Sequence, residues 1–188
     1  LPLSDKIQAA FFQSVTTRTA GFASLPQENL KNPTAILSLL LMFIGGSPVG
    51  TAGGIKTVTA AVLLSITVSL ISGKNSVSLF GRTISKQSVY KAVAVTVMSF
   101  SVMFVSTLML SAVTNAPALD ILFETVSATA TVGLSRSLTG ALNLLGKLII
   151  IFTMYFGRVG PISIAIAFGG KNPSRNIIKN PTEEISIG

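Results

Sequence analysis

The sequence predicts an all-α integral membrane protein, and three observations support that fold class. Of the 188 residues, 49% are hydrophobic and only 11% are charged, whereas a typical soluble domain carries about 25% charged residues. The mean hydropathy is +0.70. Residues 92–119 form a run of 28 uncharged residues, more than the roughly 20 that a transmembrane helix needs. We therefore expect most of the chain to lie in a bilayer.

Charge and composition also limit the function. The chain has 14 basic and 6 acidic residues; in a membrane protein such an excess is typical of cytoplasmic loops, so we expect no nucleic-acid partner. Cysteine and histidine are absent, which excludes disulfides, thiolate nucleophiles, catalytic His triads and metal sites made of thiolates or imidazoles. We expect a protein that is not an enzyme. Because the chain begins with Leu1 rather than Met, we expect it to be part of a longer protein.

Three crossings of the bilayer are predicted, and two of them are interrupted. Residues 92–113 form an ordinary transmembrane helix. The first crossing contains the glycine-rich residues 45–54, and the last is interrupted at residues 157–161; both segments hold too many helix breakers to stay α-helical. Residues 37–44 and 58–71 are each only part of a span, which favours one broken helix over two separate crossings.

The distribution of Lys and Arg predicts the orientation in the membrane. Residues 74–91 contain four basic residues and no acid, and residues 171–188 contain three basic residues and two acids. Both segments are therefore expected to be cytoplasmic. The crossings then run from outside to inside, back to the outside and inside again, so that the C-terminus is cytoplasmic.

The chain contains an internal repeat. Residues 19–22 (Thr-Ala-Gly-Phe) precede residues 131–134 (Thr-Val-Gly-Leu) by 112 positions, and at the same offset residues 42–45 (Met-Phe-Ile-Gly) match residues 154–157 (Met-Tyr-Phe-Gly). Two short matches at one offset, each in the same order relative to an interrupted crossing, indicate a repeated structural unit.

Each Thr-x-Gly turn follows a short amphipathic helix. The first helix is predicted over residues 6–15, with Ser4 and Asp5 as its cap. The second is predicted to be capped by Asn115, with Pro117 in its first turn. These two helices align at an offset of 111 residues, one fewer than the turns. Both are too short to span a bilayer, so we expect helices that enter the membrane and stop partway.

A helix of this kind followed by Thr-x-Gly is suited to holding a cation. The C-terminal end of the helix carries a partial negative charge. The extended segment after it can turn backbone carbonyl oxygens toward an axis, where they replace the hydration shell of an ion. Glycine adopts the positive φ that this arrangement needs without a steric penalty. The candidate ligands are the carbonyl groups of Thr19, Ala20, Gly21, Thr131, Val132 and Gly133.

These motifs resemble the filters of the Ktr/Trk/HKT superfamily of potassium transporters, above all its KtrB-like membrane subunits. Residues 17–22 (Thr-Arg-Thr-Ala-Gly-Phe) resemble the third filter, and residues 130–135 (Ala-Thr-Val-Gly-Leu-Ser) resemble the fourth. The resemblance implies helix–pore-helix–helix repeats of the potassium-channel type with broken second helices. Arg18 is expected to brace the pore helix, with binding of outer carbonyl groups as the alternative.

The resemblance also implies a division of the chain into four parts. Residues 1–73 would be a third pore repeat that lacks its first helix, and residues 74–91 a basic cytoplasmic loop. Residues 92–170 would be a complete fourth repeat, followed by a cytoplasmic tail at residues 171–188. About one and a half of four repeats would be present, so the chain alone could not close a four-sided filter.

A gate is predicted below the filter. A polar, flexible Gly/Ser/Thr loop at the depth of the membrane can block an ion path, and basic side chains beside it raise the barrier to a cation. The resemblance assigns the same role to the loop and to an arginine that faces it from the fourth repeat. The candidate gate residues are Gly45, Gly46, Ser47, Gly50, Thr51, Gly53, Gly54, Lys56 and Arg158.

The predicted function is potassium uptake across a bacterial cytoplasmic membrane, with K⁺ as the transported ion and Na⁺ as a candidate activating or coupling ion. The resemblance implies several partners: the lipid bilayer, the N-terminal half of the same pore, a second copy in a homodimer and a cytosolic nucleotide-binding regulatory subunit. The alternative is a secondary transporter that binds a small solute at broken helices near the midplane. That alternative predicts the broken helices but not the half-length helices followed by Thr-x-Gly.

Overall fold

The computed structural model describes residues 2–48, 52–73, 77–79 and 81–160. Its helices are listed in chain order: α1 Leu3–Thr16, α2 Asn32–Phe43, α3 Thr57–Ile71, α4 Lys86–Val113, α5 Ala118–Thr129, α6 Leu138–Ala141 and α7 Leu144–Val159, with a 3₁₀ turn at Gln27–Asn29 before α2. Strands β1 (Ser78–Leu79) and β2 (Arg82–Thr83) form a two-residue antiparallel hairpin between α3 and α4. The all-α prediction is confirmed, with this hairpin as a small addition.

Helix α4 is the long uncharged helix that the sequence predicts. It begins at Lys86, earlier than residue 92, because the Ser85 hydroxyl accepts a hydrogen bond from the Ser88 N–H at 3.2 Å and so caps the helix. Its 28 residues correspond to about 42 Å of helix at roughly 1.5 Å per residue, enough to cross the hydrocarbon core. Within the described residues it is the one helix long and apolar enough to span a membrane, and α2 and α3 are shorter apolar helices.

The segment that the sequence predicts as the first crossing forms two separate helices. Helix α2 ends at Phe43 and α3 begins at Thr57. Between them Ile44 and Ile55 form a parallel β-bridge. The Gly45 N–H donates to the Ile55 carbonyl oxygen at 2.8 Å, and the Ile55 N–H donates to the Phe43 carbonyl oxygen at 3.0 Å. We call residues 44–56 the intramembrane loop. These hydrogen bonds hold the beginning and the end of the loop next to each other.

The ends of the other helices differ from the sequence prediction in detail. Helix α7 ends at Val159, with Gly160 at φ 86°. Ser4 lies inside α1 rather than capping it, because α1 already begins at Leu3 after Pro2. Asn115 is not the cap of α5, since Pro117 occupies the N-cap position. Proline fixes its own φ and can introduce a helix without a side-chain hydrogen bond, so it replaced both polar caps.

Helix α5 lies at the centre of the packed structure, in contact with α2, α4, α6 and α7. Two apolar clusters surround it: one contains Met42, Phe123, Val126, Ala130, Val132 and Leu134, and the other contains Leu110, Ile121, Ala128, Leu138, Leu142 and Ile150. Tight packing of this kind is the main attraction between helices in a membrane, because lipid tails are as apolar as the side chains.

Hydroxyl groups add polar links between the helices. The Thr107 and Thr125 hydroxyls lie 2.8 Å apart and join α4 to α5, and the Thr153 hydroxyl donates to Ser106 Oγ at 2.8 Å and joins α7 to α4. In membrane proteins such bonds contribute about 0.6–2 kcal/mol each. They fix α4 and α7 around α5, which carries the second Thr-x-Gly turn at its C-terminal end.

Candidate functional site

The two Thr-x-Gly turns have the same unusual backbone. We call residues 19–21 the TAG segment and residues 131–133 the TVG segment. Thr19 and Gly21 have φ values of 71° and 75°, and Thr131 and Gly133 have φ values of 54° and 93°. Left-handed φ is rare for a β-branched residue, yet two of the three non-glycine residues with positive φ in the described ranges are these threonines. Strain of this kind concentrates at functional sites.

Hydrogen bonds show which way the peptide groups of the TAG segment face. The Ala20 and Gly21 N–H groups both donate to the Thr16 carbonyl oxygen, at 3.2 and 3.1 Å. In a trans peptide the carbonyl group points opposite to the N–H of the next residue, and no cis peptide occurs in the described residues. The Thr19 and Ala20 carbonyls therefore face away from the end of α1.

The TVG segment is held in the same way. The Val132 N–H donates to the Ser127 carbonyl oxygen at 2.9 Å, and the Gly133 N–H donates to the Ser127 hydroxyl at 3.1 Å. By the same geometry the Thr131 and Val132 carbonyls face away from the end of α5. Both segments thus present consecutive carbonyl oxygens that can replace the hydration shell of a cation.

The two segments adjoin each other. A Cβ atom built on Gly21 would collide with the Val132 carbonyl oxygen, so the TAG and TVG backbones are in direct contact. Within the described residues the Thr19 and Thr131 hydroxyl oxygens are buried and make no hydrogen bond, although an unpaired buried hydroxyl costs about 1–3 kcal/mol. In the same part of the chain no three His, Cys, Asp or Glu side chains converge on a metal site. The oxygen atoms described at this site are those of backbone carbonyls and threonine hydroxyls.

The intramembrane loop packs directly against the TVG segment. A Cβ on Gly53 would collide with the Thr131 hydroxyl and the Ala130 backbone. Gly54, at φ 69°, approaches the Phe43 carbonyl oxygen and the Ala130 side chain. Glycine is required at Gly53 because the loop and the residues at the end of α5 touch closely there, and at Gly54 because of its positive φ and its contact with the Phe43 carbonyl.

The other predicted gate residues lie around this contact or outside the described residues. A Cβ on Gly45 would meet the Gly53 carbonyl oxygen, and one on Gly46 would meet the Ala52 Cβ. Ser47 is exposed. Gly50 and Thr51 lie outside the described residues.

Two basic residues were predicted to belong to the gate. The Lys56 ammonium donates to the Ala52 carbonyl oxygen, which lies four residues earlier on the same arm of the loop. Arg158 lies in the last turn of α7. The neighbouring Gly157 packs so closely on α5 that an added Cβ would collide with the Thr129 carbonyl oxygen.

A cavity of about 250 Å³ lies beside the loop. Its lining includes Gly53, Lys56, Ser99, Thr129, Gly157 and Gly160. The cavity brings together the loop, the end of α5 and the end of α7. The site therefore has open space on the side of the loop where the two helices end.

Arg18 makes a contact that sequence reasoning did not find. Its guanidinium donates to the carbonyl oxygen of Ile44, and to that of Gly45 at 3.4 Å. These carbonyls lie where α2 ends and the loop begins. The contact joins residues 26 and 27 positions apart, so no local motif could have indicated it.

Gln13 of α1 and Glu124 of α5 occupy equivalent positions, and each contacts the segment that follows its Thr-x-Gly turn. Gln13 and Gln27 exchange side-chain amide hydrogen bonds of 2.7 and 3.1 Å. Glu124, 111 positions after Gln13, is only 4% exposed and accepts hydrogen bonds from Ser135 at 2.7 Å and from Thr139. The shared offset of the two helices was the sequence signal for this correspondence.

Arg136 links the segments that follow the two Thr-x-Gly turns. It forms a 2.7 Å ion pair with Asp120 and donates to the carbonyl oxygens of Gln27 and Leu30, at 3.0 and 3.2 Å. The carbonyls belong to the 3₁₀ turn that follows the TAG segment, whereas Arg136 follows the TVG segment. This side chain therefore holds the two post-filter segments together.

Comparisons with known proteins agree with this architecture. The sequence matches the TrkH family, described as cation transport proteins, over residues 1–180. The Ktr system potassium uptake protein B of Bacillus subtilis is 40% identical over 188 residues, which is the whole chain and 42% of that protein. The potassium/sodium uptake protein NtpJ of Enterococcus hirae is 37% identical over 98% of this chain and 42% of that protein.

A solved structure supports the fold. The crystal structure of the potassium transporter TrkH from Vibrio parahaemolyticus superposes with a TM-score of 0.75 at 22% identity, over 91% of this chain and 38% of that one. The chain belongs to the TrkH family of cation transport proteins. The predicted resemblance is therefore confirmed, as is the prediction that the protein is not an enzyme. The chain spans about two fifths of the length of the curated relatives that it matches.

Proposed function

We propose that this chain forms the third and fourth parts of a four-part K⁺ uptake pore in a bacterial cytoplasmic membrane. In this pore the TAG and TVG segments are two sides of a selectivity filter. One observation carries the proposal: two half-length helices end in adjoining Thr-x-Gly turns with the same strained φ pattern and the same carbonyl orientation. Relatives that are named potassium uptake proteins support K⁺ as the ion.

The intramembrane loop is the proposed gate. It touches the TVG segment through Gly53 and is glycine-rich on both arms, so it can block an ion path and change shape at little steric cost. Lys56 at its end and Arg158 on α7 place positive charge near the path of a cation. The secondary-transporter alternative needs broken helices but gives no reason for two strained threonines at adjoining helix ends.

The partners follow from the same proposal. The TAG and TVG segments are two of four filter sides, so the N-terminal part of the same pore supplies the other two. A second copy in a homodimer and a cytosolic nucleotide-binding regulatory subunit complete the assembly, and the C-terminus is cytoplasmic. Na⁺ is the candidate activating or coupling ion, an assignment supported by the potassium/sodium uptake relative.

Replacing Gly133 by serine tests the filter. A serine there must adopt φ near 93°, a conformation available to glycine but costly for serine, so the carbonyls of the TVG segment turn away from the ion. We expect the ratio of K⁺ to Na⁺ flux to fall at least tenfold when the full-length transporter is reconstituted in liposomes. Gly140→Ser is the matched control, because Gly140 has open space around it and no positive φ. Unchanged selectivity in Gly133→Ser would refute a carbonyl filter.

A further inference from the structure

We propose that Arg18 is a positioning residue that fastens the neck of the intramembrane loop to the TAG segment and so keeps the gate closed. The neck is the base of the loop, where residues 43–46 and residues 55–57 form two arms joined by hydrogen bonds. This inference rests on the proposed function and adds a residue, from the third repeat itself, that couples the filter to the gate.

Arg18 lies at the junction between α1 and the TAG segment. Arg18 lies between Thr17, the C-cap of α1, and Thr19, the first strained residue of the TAG segment. Its backbone is therefore held by the pore helix on one side and by the filter on the other. A side chain anchored here moves only when the filter or the pore helix moves.

The chemistry of its partners carries the second step. Ile44 caps the C-terminal end of α2 and Gly45 follows it. The last carbonyl groups of a helix lack partners within the helix, and the dipole of the helix makes this end negative. A guanidinium that donates to the carbonyls of Ile44 and Gly45 forms charge-assisted hydrogen bonds there, which are stronger than neutral ones. The contact therefore replaces water at the point where α2 stops.

The geometry of the loop carries the third step. Arg18 binds one arm of the neck, and the arms are joined to each other by the Gly45–Ile55 hydrogen bond and by one of 3.2 Å from the Thr57 N–H to the Gly46 carbonyl oxygen. Beyond the neck, Gly53 rests against the TVG segment. Arg18, which precedes the TAG segment, thus holds the loop by hydrogen bonds, whereas the described part of the loop contacts the TVG segment by close packing. Loss of the Arg18 hydrogen bonds would detach the neck of the loop from the TAG side.

The requirement for arginine distinguishes this role from a general positive charge. The planar guanidinium presents several N–H groups in a rigid fork and can serve two neighbouring carbonyls, whereas a lysine ammonium is a point charge on a flexible stem. We therefore expect Arg18→Lys to weaken the attachment and Arg18→Gln to remove it.

The test measures K⁺ flux through the full-length transporter in liposomes without any regulatory subunit. Arg18→Gln should raise the flux at least threefold, Arg18→Lys should raise it less, and both should keep the ratio of K⁺ to Na⁺ flux within twofold of wild type. Lys147→Gln, which removes one positive charge from an exposed position on α7, is the control and should behave as wild type. Unchanged or reduced flux in Arg18→Gln would overturn the proposal.

The same Arg18 variant in a transporter with a shortened loop distinguishes an effect of Arg18 on the loop from an effect on the filter. With residues 47–52 deleted, the flux should be high and Arg18→Gln should add nothing, because there is no loop left to hold. If Arg18→Gln still changes flux or selectivity in that background, the residue acts on the filter and the proposal is wrong. If the deletion alone leaves flux unchanged, the gate in the proposed function fails instead. Should Arg18→Gln not yield folded protein, Arg18→Lys decides, and wild-type flux in Arg18→Lys overturns the proposal.

Discussion

The two Thr-x-Gly segments share one backbone conformation but lie in very different surroundings. Both have positive φ at the threonine and at the glycine. Helix α5, which carries the TVG segment, has eight buried residues, whereas α1, which carries the TAG segment, has only Gln13 and Thr16 buried. The same strained turn forms in both places, and in both the hydrogen bonds at the end of the short helix hold it.

The side chains that support the two segments differ in chemical type. A neutral amide pair supports the TAG side, and the carboxyl side chain of Glu124 supports the TVG side through two hydroxyl groups. Equivalent positions of α1 and α5 thus hold the segment after each turn, one with an amide side chain and the other with a carboxyl side chain. The TVG side should consequently depend more strongly on its brace, because hydrogen bonds to a charged group are worth more than neutral ones.

The largest difference between the segments should appear when their glycines are replaced by alanine. Both replacements force alanine into positive φ, at about 1–2 kcal/mol. Gly21→Ala also drives a Cβ into the Val132 carbonyl, whereas a Cβ on Gly133 meets open space; overpacking adds about 1–3 kcal/mol. We expect Gly21→Ala to lower the apparent Tm of the purified full-length transporter more than Gly133→Ala does. Gly140→Ala, with open space and no positive φ, is the control, and equal Tm losses at the two filter glycines would contradict the contact between the segments.

An intermediate effect is expected from the braces. Glu124→Ala removes two hydrogen bonds to a carboxylate, worth about 1.5–3 kcal/mol each, and Gln13→Ala removes neutral ones worth about 0.5–1.5 kcal/mol each. Glu124→Ala should therefore lower both the apparent Tm and the ratio of K⁺ to Na⁺ flux more than Gln13→Ala. Glu124→Gln keeps an acceptor oxygen and should lie between Glu124→Ala and wild type. A Gln13→Ala effect as large as that of Glu124→Ala would show that charge does not distinguish the two sides.

The smallest effects should come from the link between the repeats. Asp120→Asn removes the charge of one partner of the Arg136 ion pair, whose side chains are mostly buried, but keeps an acceptor oxygen for the guanidinium, so we expect a loss of about 0.5–1.5 kcal/mol. Arg136→Gln also removes the donors to the Gln27 and Leu30 carbonyls, and should cost about 1–2 kcal/mol because solvent replaces part of each bond. The ordering of the apparent Tm values, Arg136→Gln below Asp120→Asn below wild type, checks the link. The reverse order would contradict it.

Much of the fold could be predicted from local sequence. Glycine and proline at residues 45–54 and 157–161 predicted where the helices break, and α2 ends at Phe43 while α7 ends at Val159. The run of uncharged residues predicted α4, and the repeat identified the two short helices. These features depend on breakers, length and periodicity, which act over a few residues.

The features that the sequence did not predict depend on distant neighbours or on competition between local signals. The Arg18 contact depends on the position of the end of α2, 26 residues away, and the partners of Glu124 depend on how the segment after the TVG segment folds back. The polar caps at Ser4 and Asn115 were wrong because a nearby proline began each helix instead. Where two residues can begin one helix, composition alone does not choose between them.

The hydrogen-bonded neck of the intramembrane loop limits how far the loop residues can extend from the ends of α2 and α3. The Gly45 N–H and the Ile55 carbonyl oxygen are 2.8 Å apart, so residues 46–54 form a tether whose two ends start at the same place. Nine residues extend to at most about 30 Å, and a doubled tether reaches about half of that, roughly 15 Å. This is about half the thickness of a hydrocarbon core. In the proposed gate, a paired neck therefore keeps every loop residue within this distance of the ends of α2 and α3.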